Sequence, residues 1–154
     1  GGELAFYDDE TRQAIELLKR GRRGDNLDTE AITNVWNTAL ESKWTKFPIW
    51  IHGDIALGNL LVKNGELSAV IDFGGVSVGD PACDLAIAWT AFSGESRKAF
   101  RSALNLDEAT WARARGWTLW KALITHTGLS ETNTIESQTS YRTITRILTE
   151  HSQI

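Results

Sequence analysis

The chain has 154 residues, 42% of them hydrophobic and 23% charged, which is one ordinary domain able to bury on the order of 70% of its unfolded surface without disulfides. Sixteen basic and twenty acidic side chains leave a formal charge of −4, and no block of like charge occurs, so a nucleic-acid backbone is not an expected partner. The longest apolar run, Leu85 to Phe92, falls far short of the roughly 20 residues a membrane span requires, and a single cysteine, Cys83, makes a reducing cytoplasm the expected setting.

Glu10 to Lys19 mixes Ala14, Ile15, Leu17 and Leu18 with charge and predicts a short helix, halted by the glycine-broken stretch Gly21 to Gly24. A second helix is predicted where Ile32, Val35, Trp36 and Leu40 repeat at helical spacing behind Asp28, whose side chain can accept from the first free amides. The period then changes. Ile49 to Ile51 follow Pro48 as a short extended run, and Asn59 to Lys63 and Leu67 to Asp72 flank Asn64-Gly65, a dipeptide whose ease at positive φ predicts a hairpin. Asp80-Pro81 combines an N-cap with proline at the first helical position, and the run to Phe92 is apolar on nearly every side, as a buried helix requires. Further helices are predicted from Glu95 to Leu104, from Asp107 to Thr127 and from Thr132 to His151. Trp117, Trp120 and Ile124 share one stripe of the second of these; Tyr141, Ile144 and Leu148 share one stripe of the last. The sum is a mostly helical α+β domain around a small antiparallel hairpin.

Polar residues concentrate where pattern alone would continue the strands: His52-Gly53-Asp54, Asn59, and Asp72-Phe73-Gly74. With Asn59 opening one arm of the hairpin and Asp72 closing the other, the turn is expected to bring an amide oxygen and a carboxylate together. Hard oxygen donors so placed suit Mg²⁺, which keeps several waters and is usually completed by substrate phosphates. Asp54, across the loop, would lie where a base acts. An aspartate, an asparagine five residues on and Asp-Phe-Gly thirteen further is the arithmetic of the kinase catalytic half. Singly, each residue is an ordinary turn former; the joint spacing points to chemistry.

With glycine after the histidine, the runs HGDIALGNL from His52, VIDFG from Val70 and GDPACDLA from Gly79 resemble the aminoglycoside phosphotransferase family, most closely between Phe47 and Trp89. The resemblance implies a kinase-like fold in which Asp54 accepts or orients the proton of a hydroxyl that attacks the γ-phosphoryl of ATP or GTP. It implies that Asn59 and Asp72 hold Mg²⁺, that His52 positions the loop, and that Asp84 ties the loop to the following helix. The acceptor would be a small-molecule alcohol, an aminoglycoside-type antibiotic or, as in relatives, a macrolide, choline, homoserine or sugar. No residue is singled out for binding it: Asp107, Glu108, Glu131 and Glu136 suit a polycationic acceptor and solvated helix ends equally.

The glycine-rich cover and lysine–glutamate pair that grip phosphates in such enzymes are not found, since Gly21 to Gly24 has no strand on either side. Residues 1–154 are therefore expected to form a single domain, the C-terminal catalytic and substrate-binding lobe without the N-terminal nucleotide-gripping lobe, and to be inactive or nearly so alone. Such a lobe would meet the missing part in cis or pair with a second copy. A non-enzymatic helical interaction module is the competing reading; a metal-dependent phosphohydrolase ranks last, because it needs several histidines near its metals. His126 and His151 are isolated, Cys83 reads as a small apolar filler, Asp80 as a cap, and Trp111, Trp117 and Trp120 as core.

Overall fold

Asp28 accepts from the amides of Glu30 and Ala31 at 3.0 and 2.9 Å and so starts helix α2, Thr29–Glu41, which follows α1, Asp8–Lys19. The computed structural model describes residues 2–21 and 26–152, so the glycine-broken stretch after Gly21 lies outside the described residues. Four short strands come next: β1 (Ile49–Ile51), β2 (Leu60–Lys63), β3 (Glu66–Val70) and β4 (Ser77–Gly79). The chain then returns to helix in α3 (Ile87–Thr90), α4 (Gly94–Leu104), α5 (Glu108–Thr127) and α6 (Thr134–His151). Asp107 caps α5, Asn133 and Glu136 cap α6 reciprocally, and Gly128 closes α5 in the left-handed conformation.

β2 and β3 form the expected hairpin about Asn64 and Gly65, both at positive φ. Its arms are shorter than predicted. Asn59 ends the 3-10 turn Leu57–Asn59, and Asp72 stands beyond β3 in the left-handed region, so both side chains sit at the hairpin's open end rather than in its ladder. β1 pairs antiparallel with β4, Ile49 opposite Gly79 and Ile51 opposite Ser77. That second sheet was not expected; three residues paired across a long separation leave no local period to read. The predicted buried helix from Asp80 to Phe92 is a 3-10 segment, Pro81–Ala86, running into α3. Asp80 and Pro81 can start either kind of helix, and only the later turns differ.

α5 is central, and it is buried around most of its circumference rather than along a stripe. Ile124 is buried, whereas Trp117 and Trp120 are half-buried and pack on Tyr7 with ring centroids 5.2 and 4.1 Å away. On α6, Ile144 and Ile147 are buried and Tyr141 and Leu148 half-buried. The core gathers Ile15, Ile32, Val35, Trp36, Trp89, Trp111, Leu119, Leu123, Ile144 and Ile147 from the helices, and no described residue between Leu40 and Ala82 belongs to it. Conversely, eleven of the fourteen exposed large hydrophobics among the described residues fall between Phe47 and Val78. The strand region therefore rides on the helical body and is not built into it. Among the described residues no helix is long and apolar enough to cross a membrane.

Candidate active site

Gly53 sits at φ +88°, and a β-carbon there would collide with the carbonyl of Gly75. One at Gly75 would come within 3.3 Å of the His52 carbonyl oxygen. The loop at His52 to Asp54 and the turn Phe73–Gly75 thus lie backbone against backbone, which explains glycine at both places. The rings of His52 and Phe73 add a contact with centroids 4.7 Å apart.

Asp84 fastens this assembly to the helical body. Its Oδ2 accepts the His52 N–H at 2.7 Å and its Oδ1 accepts the Gly53 N–H at 2.8 Å. His52 is buried, and its Nδ1 accepts the Asp54 N–H at 3.2 Å. A backbone amide can only donate, so the proton of the neutral ring is assigned to Nε2, which donates to the Ile71 carbonyl at 2.9 Å. The imidazole thereby spans the gap between the Asp54 loop and the segment that leads to Asp72.

Asn59 Nδ2 donates to the Asp54 carbonyl at 2.9 Å and to Asp54 Oδ2 at 3.2 Å. The Ile71 N–H donates to the Asn59 carbonyl at 2.9 Å, which places Asn59 opposite Ile71 and next to Asp72 in the hairpin. The sequence led us to expect the Asn59 amide to meet Asp72. Its direct partner is Asp54, because the amide's donor side turns to the one carboxylate that also offers a neighbouring main-chain carbonyl. Asp72, at φ +61°, is exposed and caps nothing. Among the described residues nothing donates to the amide oxygen of Asn59 or to the carboxylate of Asp72, both at the hairpin's open end.

Arg113 escaped the sequence reading. Asp80 caps its turn through the Ala82 N–H at 3.1 Å and also receives Arg113 Nε at 2.6 Å and Nη2 at 3.3 Å. The Arg113 side chain is 5% exposed, and its guanidinium lies 5.5 Å from the centre of the Trp44 ring. The segment bearing Asp84 is in this way bolted to α5. A signal existed: Arg113 and Arg115 stand among small residues, Ala112 to Gly116, in the middle of a helix that must be buried, and a buried charge requires a partner.

Three of the four acids considered for a cationic acceptor are occupied at helix ends. Asp107 caps α5 and pairs with Lys46 at 2.6 Å; that ammonium and the Thr110 hydroxyl and amide hold its carboxyl well below the usual carboxylate range. Glu108 pairs with Arg101 at 2.9 Å, and Glu136 completes the α6 cap. Glu131 is exposed. His126 is buried with Nδ1 3.1 Å from the Ser137 carbonyl oxygen, and half-buried Cys83 has its thiol pushed up by burial. No group of three or more His, Cys, Asp or Glu placed to hold a metal occurs among the described residues.

A His-Gly-Asp loop and an Asp-Phe-Gly turn lie docked together on a mostly helical body, held by a carboxylate from the next helical segment, an arrangement consistent with the kinase-like fold. The family model APH, Phosphotransferase enzyme family, matches residues 1–117, and the chain belongs to that family. Among solved structures, it is similar to a thermostable mutant of the aminoglycoside phosphotransferase APH(4)-Ia in ternary complex with AMP-PNP and hygromycin B. There the identity is 17% and the TM-score 0.53, over 84% of this chain and 46% of that one. The apo form of a thermostable mutant of the same enzyme aligns at 19% identity and TM-score 0.48, over 83% of this chain and 47% of that one. ADP-bound APH(2'')-Ib aligns at 18% identity and TM-score 0.42, over 91% and 51% of the two chains. The chain thus spans about half the length of these structures. No curated protein sequence matches it.

Proposed function

We propose that the chain is the catalytic and acceptor-binding lobe of an O-phosphotransferase that moves the γ-phosphoryl of ATP or GTP to a hydroxyl of a small molecule, with the nucleotide gripped by an N-terminal lobe outside these residues. The observation that carries the reading is the Asp54–Asn59 contact at 3.2 Å, held beside the Asp72 turn by His52, Gly53 and Asp84. Phosphoryl transfer asks a protein mainly for positioning and charge neutralisation, and rigidly docked loops supply the first. Asn59 fixes the rotation of the Asp54 carboxylate through Oδ2; Oδ1 is the atom that accepts or orients the acceptor's proton, help worth on the order of 10²–10⁴ in rate. His52 and Asp84 position this loop and take no proton.

The uncommitted oxygens of Asn59 and Asp72 fit Mg²⁺, which favours a few protein oxygens completed by waters and phosphate. Bound there, the ion would neutralise charge on the nucleotide's phosphates. The apolar surface between Phe47 and Val78 supports a covering lobe in cis, with a second copy as the alternative. The aminoglycoside phosphotransferases it resembles make an aminoglycoside-type alcohol the first acceptor class to test, and with it a cytoplasmic role in antibiotic resistance. The engagement of Asp107, Glu108 and Glu136 with helix ends rests that choice on the hydroxyl rather than on charge.

The test compares the protein joined to its nucleotide-binding lobe with the 154 residues alone, using Mg·ATP and Mg·GTP against a panel of hydroxyl-bearing antibiotics, sugars, choline and homoserine. The two-lobed protein should turn over, and Asp54→Ala should lose on the order of 10²–10⁴ in kcat. The lobe alone should neither turn over nor bind nucleotide by calorimetry. Undiminished turnover in Asp54→Ala, or tight nucleotide binding by the lone lobe, overturns the proposal.

A further inference from the structure

Glu150, near the end of α6, has a side chain 16% exposed and faces three guanidinium groups: Arg101 Nη1 at 2.6 Å, Arg97 Nη1 at 3.1 Å and Arg115 Nη1 at 3.5 Å. It also accepts the Trp89 Nε1–H at 2.9 Å. The charges here do not balance. Arg101 shares Glu108, but Arg97 spends its remaining contacts on the Ala88 and Phe92 carbonyls at 2.7 and 3.0 Å. Arg115 has a side chain 5% exposed, and its Nη1 stands at ion-pair distance from Glu150 without a hydrogen bond. Arg146, one turn earlier on α6, reaches the Trp89 carbonyl at 3.1 Å and pairs with no carboxylate among the described residues. Four guanidiniums thus stand about Glu150 and Glu108, three of them at ion-pair distance and Arg146 outside it, in a chain whose formal charge is −4.

A cavity of about 410 Å³ opens between α4 and α6 beside this cluster, lined in part by Arg97, Lys98, Arg101, Arg146 and Glu150. We propose that the cavity binds a small phosphate-bearing anion, held by Arg97 and Arg146, with Lys98, which pairs with Glu95 at 2.7 Å, at its rim. A guanidinium presents paired N–H donors that match phosphate oxygens, and a phosphate dianion would compensate the two positive charges in excess of Glu150 and Glu108 where a monocarboxylate compensates one. The elements that build this site carry none of Asp54, Asn59 or Asp72, so the inference stands apart from the phosphotransfer reading. An anion lodged there would tie α4 to α6.

The experiment titrates inorganic phosphate and pyrophosphate into the 154-residue chain in metal-free buffer, ionic strength held constant with sodium chloride. Thermal midpoints and the NMR signals of arginine Nε–H groups are followed. A saturable rise in midpoint is expected, with shifts at Arg97 and Arg146. Arg146→Gln, which leaves the Glu150 contacts intact, should weaken affinity on the order of tenfold, the worth of one charge-assisted hydrogen bond. Lys98→Gln should weaken it less, and Arg12→Gln on α1 should bind as the parent does. A rise matched by chloride alone, affinity unchanged in both Arg146→Gln and Lys98→Gln, or shifts confined to the loop around Asp54 would overturn the proposal.

Discussion

Asp84→Asn isolates the contact on which the candidate site hangs. The carboxylate accepts two amides at 2.7 and 2.8 Å; the carboxamide keeps one acceptor and turns an NH₂ group toward the other N–H. One charge-assisted bond, worth about 1.5–3 kcal/mol, is lost and the other falls to the neutral value of about 1 kcal/mol. A cost of about 2–5 kcal/mol follows, against the roughly 5–15 kcal/mol that keeps a domain folded. Because the helical core cluster draws nothing from the strand region, the cost should appear as local opening: His52 and Gly53 amides exchanging roughly 30- to 4,000-fold faster while α5 and α6 amides stay protected. Amide hydrogen exchange read by NMR, beside a urea transition, checks this. Unchanged protection at His52 refutes the contact; equal acceleration throughout α5 refutes the separation of loop from core.

Gly53→Ala places a methyl against the Gly75 carbonyl at φ +88°, so about 1–2 kcal/mol of backbone strain is expected, with loss of the His52–Phe73 ring contact visible in the aromatic NMR shifts; an unchanged urea midpoint speaks against the close packing. Arg113→Ala strands Asp80 and should cost about 3–5 kcal/mol, with Asp80→Ala/Arg113→Ala well short of the sum of the singles; strict additivity in urea would deny the pair. Asp107→Ala removes a cap worth about 1 kcal/mol. Its carboxyl is held below the ordinary range in the fold by Lys46 and Thr110, so the unfolded chain takes up the proton first, and the stabilisation present at neutral pH fades as pH falls below about 4. Urea midpoints at neutral and acidic pH should diverge less in Asp107→Ala than in the parent, and the same dependence in both proteins would contradict the assignment.

What could be read in the sequence was whatever is encoded locally. The Asp28 cap with its helical repeat and the Asn64-Gly65 turn each act within a few residues, and each forms as expected. β4 was hidden because its partner lies far along the chain. The helix expected after Asp80 was misjudged because cap and proline do not distinguish 3-10 from α. The misread stripe on α5 has a physical cause: Arg113 and Arg115 are buried by pairing with Asp80 and Glu150, and periodicity counts any arginine as solvent-facing. At the candidate site, spacing pointed to Asp54, Asn59 and Asp72 together; the contact seen joins Asn59 to Asp54, and the orientation of that amide depends on a carbonyl of Asp54 that no spacing reveals.

The strand region adheres to the helices through polar links and the buried Ile51, and most of its large apolar side chains look outward. Selection on residues 42–80 can therefore act on what they face instead of on whether the molecule folds. A lineage could exchange this head's outer residues for others while the same helical trunk persists.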